Sequence, residues 1–113
     1  MILCFDIDNV ICKTQGNNYR KSIPKKNVIN KINELYEKGH YIKLFTARYM
    51  GRSKDNVFLA KKKGFAFTKK QLKGWKINYH KLIFGKPSYD LFIDDKAIFY
   101  NNNWIKKINN ILK

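Results

Sequence analysis

Short apolar runs that stop on carboxylates constrain this chain more than any other feature of it. Met-Ile-Leu-Cys-Phe at 1–5 leads straight into Asp6-Ile7-Asp8, and Tyr-Asp-Leu-Phe-Ile at 89–93 leads into Asp94-Asp95. Runs this short, with no three- or four-residue period, suit buried strands. The acids then fall at strand ends. The chain carries only eight Asp and Glu against 24 Lys and Arg, so placing half of its acids in two tight pairs is a strong asymmetry. Clustered carboxylates repel one another unless something strongly positive lies between them, and the two pairs therefore predict a shared site for a cation such as Mg²⁺.

The rest of the pattern supplies a scaffold for such a site. Residues 1–7 read as a buried strand, and a polar loop holding Gly16, Asn17 and Asn18 runs to Ile23-Pro24. From Pro24 the apolar positions Val28, Ile29, Ile32, Leu35 and Tyr36 recur at helical spacing, with Pro24 in the first turn and Gly39 as the stop. A second strand, Tyr41 to Phe45, ends at Thr46-Ala47-Arg48. A second helix is expected over Ser53 to Lys63, closed by Gly64, with a further turn or two over residues 68–75. Strands over 79–84 and 90–93 follow, and Trp104, Ile105, Ile108, Ile111 and Leu112 define a closing helix. This order predicts an α/β fold, a three-layer Rossmann-like parallel sheet flanked by helices. In such sheets ligands bind beyond the carboxyl ends of the strands. Asp6/Asp8, Thr46, Lys86 and Asp94/Asp95 all lie at or just past those ends.

At 113 residues the chain has room for one hydrophobic core, and residues 1–113 are expected to form a single domain with no cap. No apolar run approaches the roughly 18 residues a membrane span needs. The first residues lack the pattern of a signal peptide, which makes a cytoplasmic protein the expectation, with no membrane partner. Cys4 and Cys12 show no metal-ligand spacing and are read as reduced thiols. A net charge of +16 would suit nucleic acid or phosphorylated metabolites, but the lysines are spread along the chain and Arg, the usual bidentate phosphate ligand, is rare. Nucleic acid is thus not the favoured partner.

Chemically, the strand-end groups form a phosphoryl-transfer set. A fixed carboxylate can attack phosphorus, a cation can screen the approach, a hydroxyl can hold a phosphate oxygen, and a second carboxylate can carry the proton. The segments FDIDNVI, IKLFT, FGKP and LFIDD, in that order, resemble the four motifs of the haloacid dehalogenase (HAD) superfamily of phosphohydrolases, and the chain as a whole is similar to its small capless members associated with capsule and surface-polysaccharide biosynthesis. That resemblance implies Asp6 as nucleophile and metal ligand, and Asp8 as acid/base lending its carbonyl to the metal. It implies Thr46 as a phosphoryl hydrogen-bond partner, Lys86 as the charge neutraliser, and Asp94 as a further Mg²⁺ ligand, with Asp95 binding the ion through water or orienting Lys86. Asn9 stands where many relatives have Gly and Val10 where many have Thr; Asn tolerates the unusual backbone angles of such a turn.

Arg48, directly after the second motif, and Arg20 and Lys21, in the loop after the first, are candidate substrate-binding residues. His40 and His80 are read as structural, and Trp75 and Trp104 as core anchors. The implied function is a Mg²⁺-dependent phosphomonoesterase working through an aspartyl-phosphate, on a small sugar phosphate or related metabolite. One alternative is a phosphatase acting on nucleotide or nucleic-acid ends; another is an inactive basic binding module. Without a cap the site would lie open, so a homo-oligomer that covers it is a further expectation.

Overall fold

A computed structural model describes all 113 residues. The first apolar run forms β1 (Ile2–Phe5), and the loop behind it is pinched by β2 (Cys12–Lys13) and β3 (Ile23–Pro24), paired antiparallel. Then come α1 (Lys26–Glu37), β4 (Tyr41–Thr46), α2 (Val57–Gly74), β5 (Lys81–Phe84) and α3 (Trp104–Ile111). β1, β4 and β5 form one parallel sheet in the order β1-β4-β5. The result is the α/β class that the sequence predicts, a parallel sheet flanked by helices.

The register explains where the core lies. Leu3 pairs with Ile42, Phe5 with Leu44 and Leu44 with Leu82, so these side chains share one face of the sheet. Against it pack Val28, Ile29, Ile32 and Leu35 of α1, Leu72 of α2, and Trp104 and Ile108 of α3. Each fully buried aliphatic of this set contributes about 1.5–3 kcal/mol relative to exposure. Trp104 meets Phe5 edge-on with ring centroids 5.8 Å apart, which fastens α3 beneath β1. The opposite face begins with Ile2, Cys4 and Tyr41, all exposed. His80 accepts the Ile42 N–H at 3.0 Å and stacks on Tyr36 and Tyr41, a structural role as expected.

Three elements differ from the sequence reading. Pro24 does not open α1: it lies in β3 opposite Cys12, and the helix begins at Lys26. Gly64 does not close α2, which runs unbroken through Gly74 from an Asn56 cap whose Oδ1 accepts the Leu59 N–H at 3.1 Å. Gly64 is there because the Tyr49 ring lies where its Cβ would be; it marks a close approach rather than a helix end. Residues 90–93 form no strand. Gly85 to Asn103 is irregular, and within it Leu91 and Ile93 are 76% and 86% exposed.

Candidate active site

The end of β1 turns sharply. Asn9 adopts φ 65°, the left-handed region that Asn tolerates, and its N–H donates to the Cys12 carbonyl at 2.7 Å. Its side-chain oxygen accepts the Thr14 N–H at 3.2 Å. The turn buries Ile7 completely, so Asp6 and Asp8 emerge on either side of an anchored residue. At the same end of the sheet, on its opposite edge, the Lys86 N–H donates to the Thr46 carbonyl at 3.1 Å, extending the β4–β5 ladder past Gly85 at φ 109°. That bond aims Lys86 back across the strand ends.

Two ion pairs result. Lys86 Nζ lies 3.1 Å from Asp6 Oδ2, and the Ile7 N–H donates to Asp6 Oδ1 at 2.8 Å. Burial pushes the Asp6 carboxyl above its ordinary range, outweighing the opposing pull of Lys86 and the Ile7 N–H. Burial works to lower the Lys86 ammonium, yet Tyr89 and Asp6 prevail and its pKa is raised. Lys86 therefore stays cationic while Asp6 keeps some affinity for a proton. Asp8 instead faces Arg48. Arg48 Nε donates to Asp8 Oδ2 at 2.9 Å and Nη2 to Oδ1 at 3.0 Å, a bidentate pair, and the Thr14 hydroxyl adds a 2.6 Å bond to Oδ1.

Arg48 lies inside the protein rather than at its surface. It is 1% exposed, its Nη1 donates to Gln71 Oε1 at 2.7 Å and to Thr68 Oγ1 at 3.4 Å, and its guanidinium lies 4.8 Å from the Tyr19 ring centroid. Its donors are committed inside the protein, where it braces Asp8 against α2. Gln71 Nε2 also donates to the Tyr19 carbonyl at 2.7 Å, so one network ties α2 to the loop after β1. Sequence reasoning missed Gln71 and Thr14. The one signal for Gln71 is its place beside Thr68 and Leu72 on the buried side of α2.

The remaining candidates divide. Thr46 is wholly buried; its hydroxyl oxygen accepts the Arg48 N–H at 3.0 Å, which leaves the hydroxyl proton to donate elsewhere. Arg20 is exposed and stacks over Phe67 at 5.5 Å, and Lys21 is exposed in the same loop. Asp94 and Asp95 are exposed too. Asp94 accepts the Lys96 N–H at 2.9 Å, and this bond, with Asp95 beside it, holds its carboxyl below the usual range. No three Asp, Glu, His or Cys side chains converge as a metal site. The fold thus assembles Asp6, Asp8, Thr46 and Lys86 but leaves out the late pair, and within one copy the donors do not fit a Mg²⁺ ion. The reason is the missing fourth strand, whose end would have carried Asp94 to the others.

No family model matches the chain. No curated protein matches it either. Among solved structures it is similar to the crystal structure of a structural-genomics target from Vibrio cholerae, with a TM-score of 0.81 at 24% identity, over 99% of this chain and 98% of that one. At that identity the likeness speaks for the fold. No helix is long and apolar enough to cross a membrane.

Proposed function

We propose that this chain is a phosphomonoesterase of the HAD type, acting on a small phosphorylated metabolite such as a sugar phosphate. The observation that carries this reading is the Asp6–Lys86 pair at the end of β1, a half-buried carboxylate 3.1 Å from an ammonium. A carboxylate there would attack phosphorus through one oxygen, forming an aspartyl-phosphate as the ester P–O bond breaks and the departing oxygen takes a proton. Water would then attack the same phosphorus, returning the carboxylate and releasing inorganic phosphate. Lys86 would shift part of its charge from Asp6 to the incoming phosphate, lowering the repulsion between the two anions. The acid/base role that the resemblance implies for Asp8 requires one of its oxygens to be freed, since both are held by Arg48. The donors within one copy do not form a metal site.

The test is turnover of p-nitrophenyl phosphate and a panel of sugar phosphates, with and without Mg²⁺. Asp6→Asn is expected to lose at least a hundredfold in rate; equal rates for variant and wild type would remove the covalent mechanism. A second reading, action on nucleotide or nucleic-acid ends, is favoured by α2. Lys61, Lys62, Lys63, Lys69, Lys70 and Lys73 are all exposed there, and the helix holds no acid to pair with them. Polynucleotide substrates would show KM rising steeply with salt, whereas a sugar phosphate would respond mildly.

A further inference from the structure

We propose that residues 90–93 pair as a parallel strand with the open edge of β1 in a second copy of the chain, so that two copies exchange arms and each site is built from both. β1 pairs on one side only, with β4, which leaves its other edge unpaired. An open strand edge is a template for another strand. The arm has the matching pattern: Leu91 and Ile93 alternate with Phe92 and are largely solvent-exposed where they stand. Placing Ile93 beside Phe5 puts Leu91 beside Leu3, both on the core face, and Phe92 beside Cys4 on the other. The same register sets Asp94 beside Asp6.

Chain length decides between the same copy and another. β5 and β1 lie at opposite edges of the sheet, and only residues 85–89 separate Phe84 from Asp90. In that register Asp90 lies about five residues down the strands from Phe84 and three strand spacings across, roughly 22 Å in a straight line through the sheet itself. Six Cα steps reach at most about 20–22 Å. A path around the sheet is longer, and parallel connections ordinarily take a dozen residues or more. The chain's own β1 edge is out of reach; a second copy's is not. Charge agrees. Residues 87–95 carry Asp90, Asp94 and Asp95 and no Lys or Arg, in a chain of net charge +16, so an acidic arm meets a basic body.

Two readouts test this independently of activity. Phe92→Cys places a thiol opposite Cys4, which is exposed, while Cys12 is buried; mild oxidation should give a disulfide-linked dimer that Cys4→Ser abolishes. Light scattering should give about twice the 13.5 kDa chain mass for wild type and the chain mass for a folded Leu91→Asp/Ile93→Asp variant. A wild-type monomer, an intramolecular disulfide or no disulfide would each overturn the exchange. A third readout rests on the proposed phosphatase reading. Asp6→Asn and Asp94→Asn chains, each inactive, should regain about a quarter of wild-type activity when unfolded and refolded together, since half of the dimers are mixed and hold one intact site of two. A cross-linked dimer with no restored activity would overturn the two-chain site while the exchanged arms stand, and a cross-linked wild type with no phosphatase activity would sink the functional reading alone.

Discussion

Replacing Arg48 by Met removes a cation that is wholly enclosed and leaves its partners behind. Two bonds to Asp8, one to Gln71 and one to Thr68 are lost together. Removing one member of a buried ion pair typically costs about 3–5 kcal/mol. Asp8 keeps some contact with water, its side chain being 21% exposed, so the lower end, ~3 kcal/mol, is the expected loss. At ~2.1 cal/mol/K of unfolding entropy per residue, 113 residues give ~0.24 kcal/mol/K, and Tm should fall by ~13 °C. Urea unfolding followed by Trp fluorescence measures the loss directly, with an unchanged m-value expected. The cycle completed by Asp8→Asn and the double variant should show a coupling of about 2 kcal/mol, because the double variant leaves no uncompensated charge. Arg48→Lys should recover only part of the loss, since an ammonium cannot bridge both Asp8 oxygens. A loss under 1 kcal/mol for Arg48→Met, or strict additivity in the cycle, would refute the brace.

Three further outcomes follow from the structure. The Asp6 carboxyl is raised above 3.8 by burial and held down by Lys86, and attack requires its ionised form. Lys86→Met should therefore lower activity and also move the acidic limb of the kcat/KM profile to higher pH; an unmoved limb would dissociate Lys86 from the nucleophile. For stability the sign is the reverse of an ordinary acid. A raised folded-state pKa contributes stability that is complete below the unfolded value and lost as pH rises through the folded one, so Asp6→Asn should gain on wild type as pH climbs above 3.8. Gly64→Ala should destabilise by about 1–3 kcal/mol through the Tyr49 ring. In a Tyr49→Ala background the same change should stabilise by roughly 0.8–1 kcal/mol, the helix propensity of Ala over Gly; no reversal of sign in chemical denaturation would show that the ring is not the obstacle.

What the sequence disclosed, and what it concealed, follows from the range of the forces involved. Strands β1, β4 and β5 and helix α1 were legible because their apolar periodicity records which face is buried, a local property. Asp6 and Lys86 were legible as strand-end groups for the same reason. The contacts of Arg48 were not legible because its position one residue past Thr46-Ala47 fits a ligand and a brace equally well; its partners are Asp8, 40 residues earlier, and Gln71, 23 later. Gly64 was misread because a helix-stopping Gly and a Gly admitting an aromatic ring look alike until Tyr49 is in place. The fourth strand is the instructive case. Residues 90–93 have the composition and alternation of a strand, but a strand exists only where an edge accepts it, and the five residues before Asp90 cannot carry it to the edge within its own copy.

The charges around the site give that absence a consequence. Asp6 is balanced by Lys86 and Asp8 by Arg48, so the strand ends of one copy are locally near neutral although the chain as a whole is strongly basic. No ion pair involves the arm acids Asp90, Asp94 or Asp95, despite the surplus of cations. If arms are exchanged, Asp94 and Asp95 arrive beside two carboxylates whose cations are already committed. The assembled site then carries an excess of two negative charges, which one divalent cation neutralises. A single chain would have neither the donors nor the charge imbalance to hold such an ion, and the same assembly step that buries Leu91 and Ile93 would supply both. Ion binding and dimer formation would then be one equilibrium, each strengthening the other by mass action.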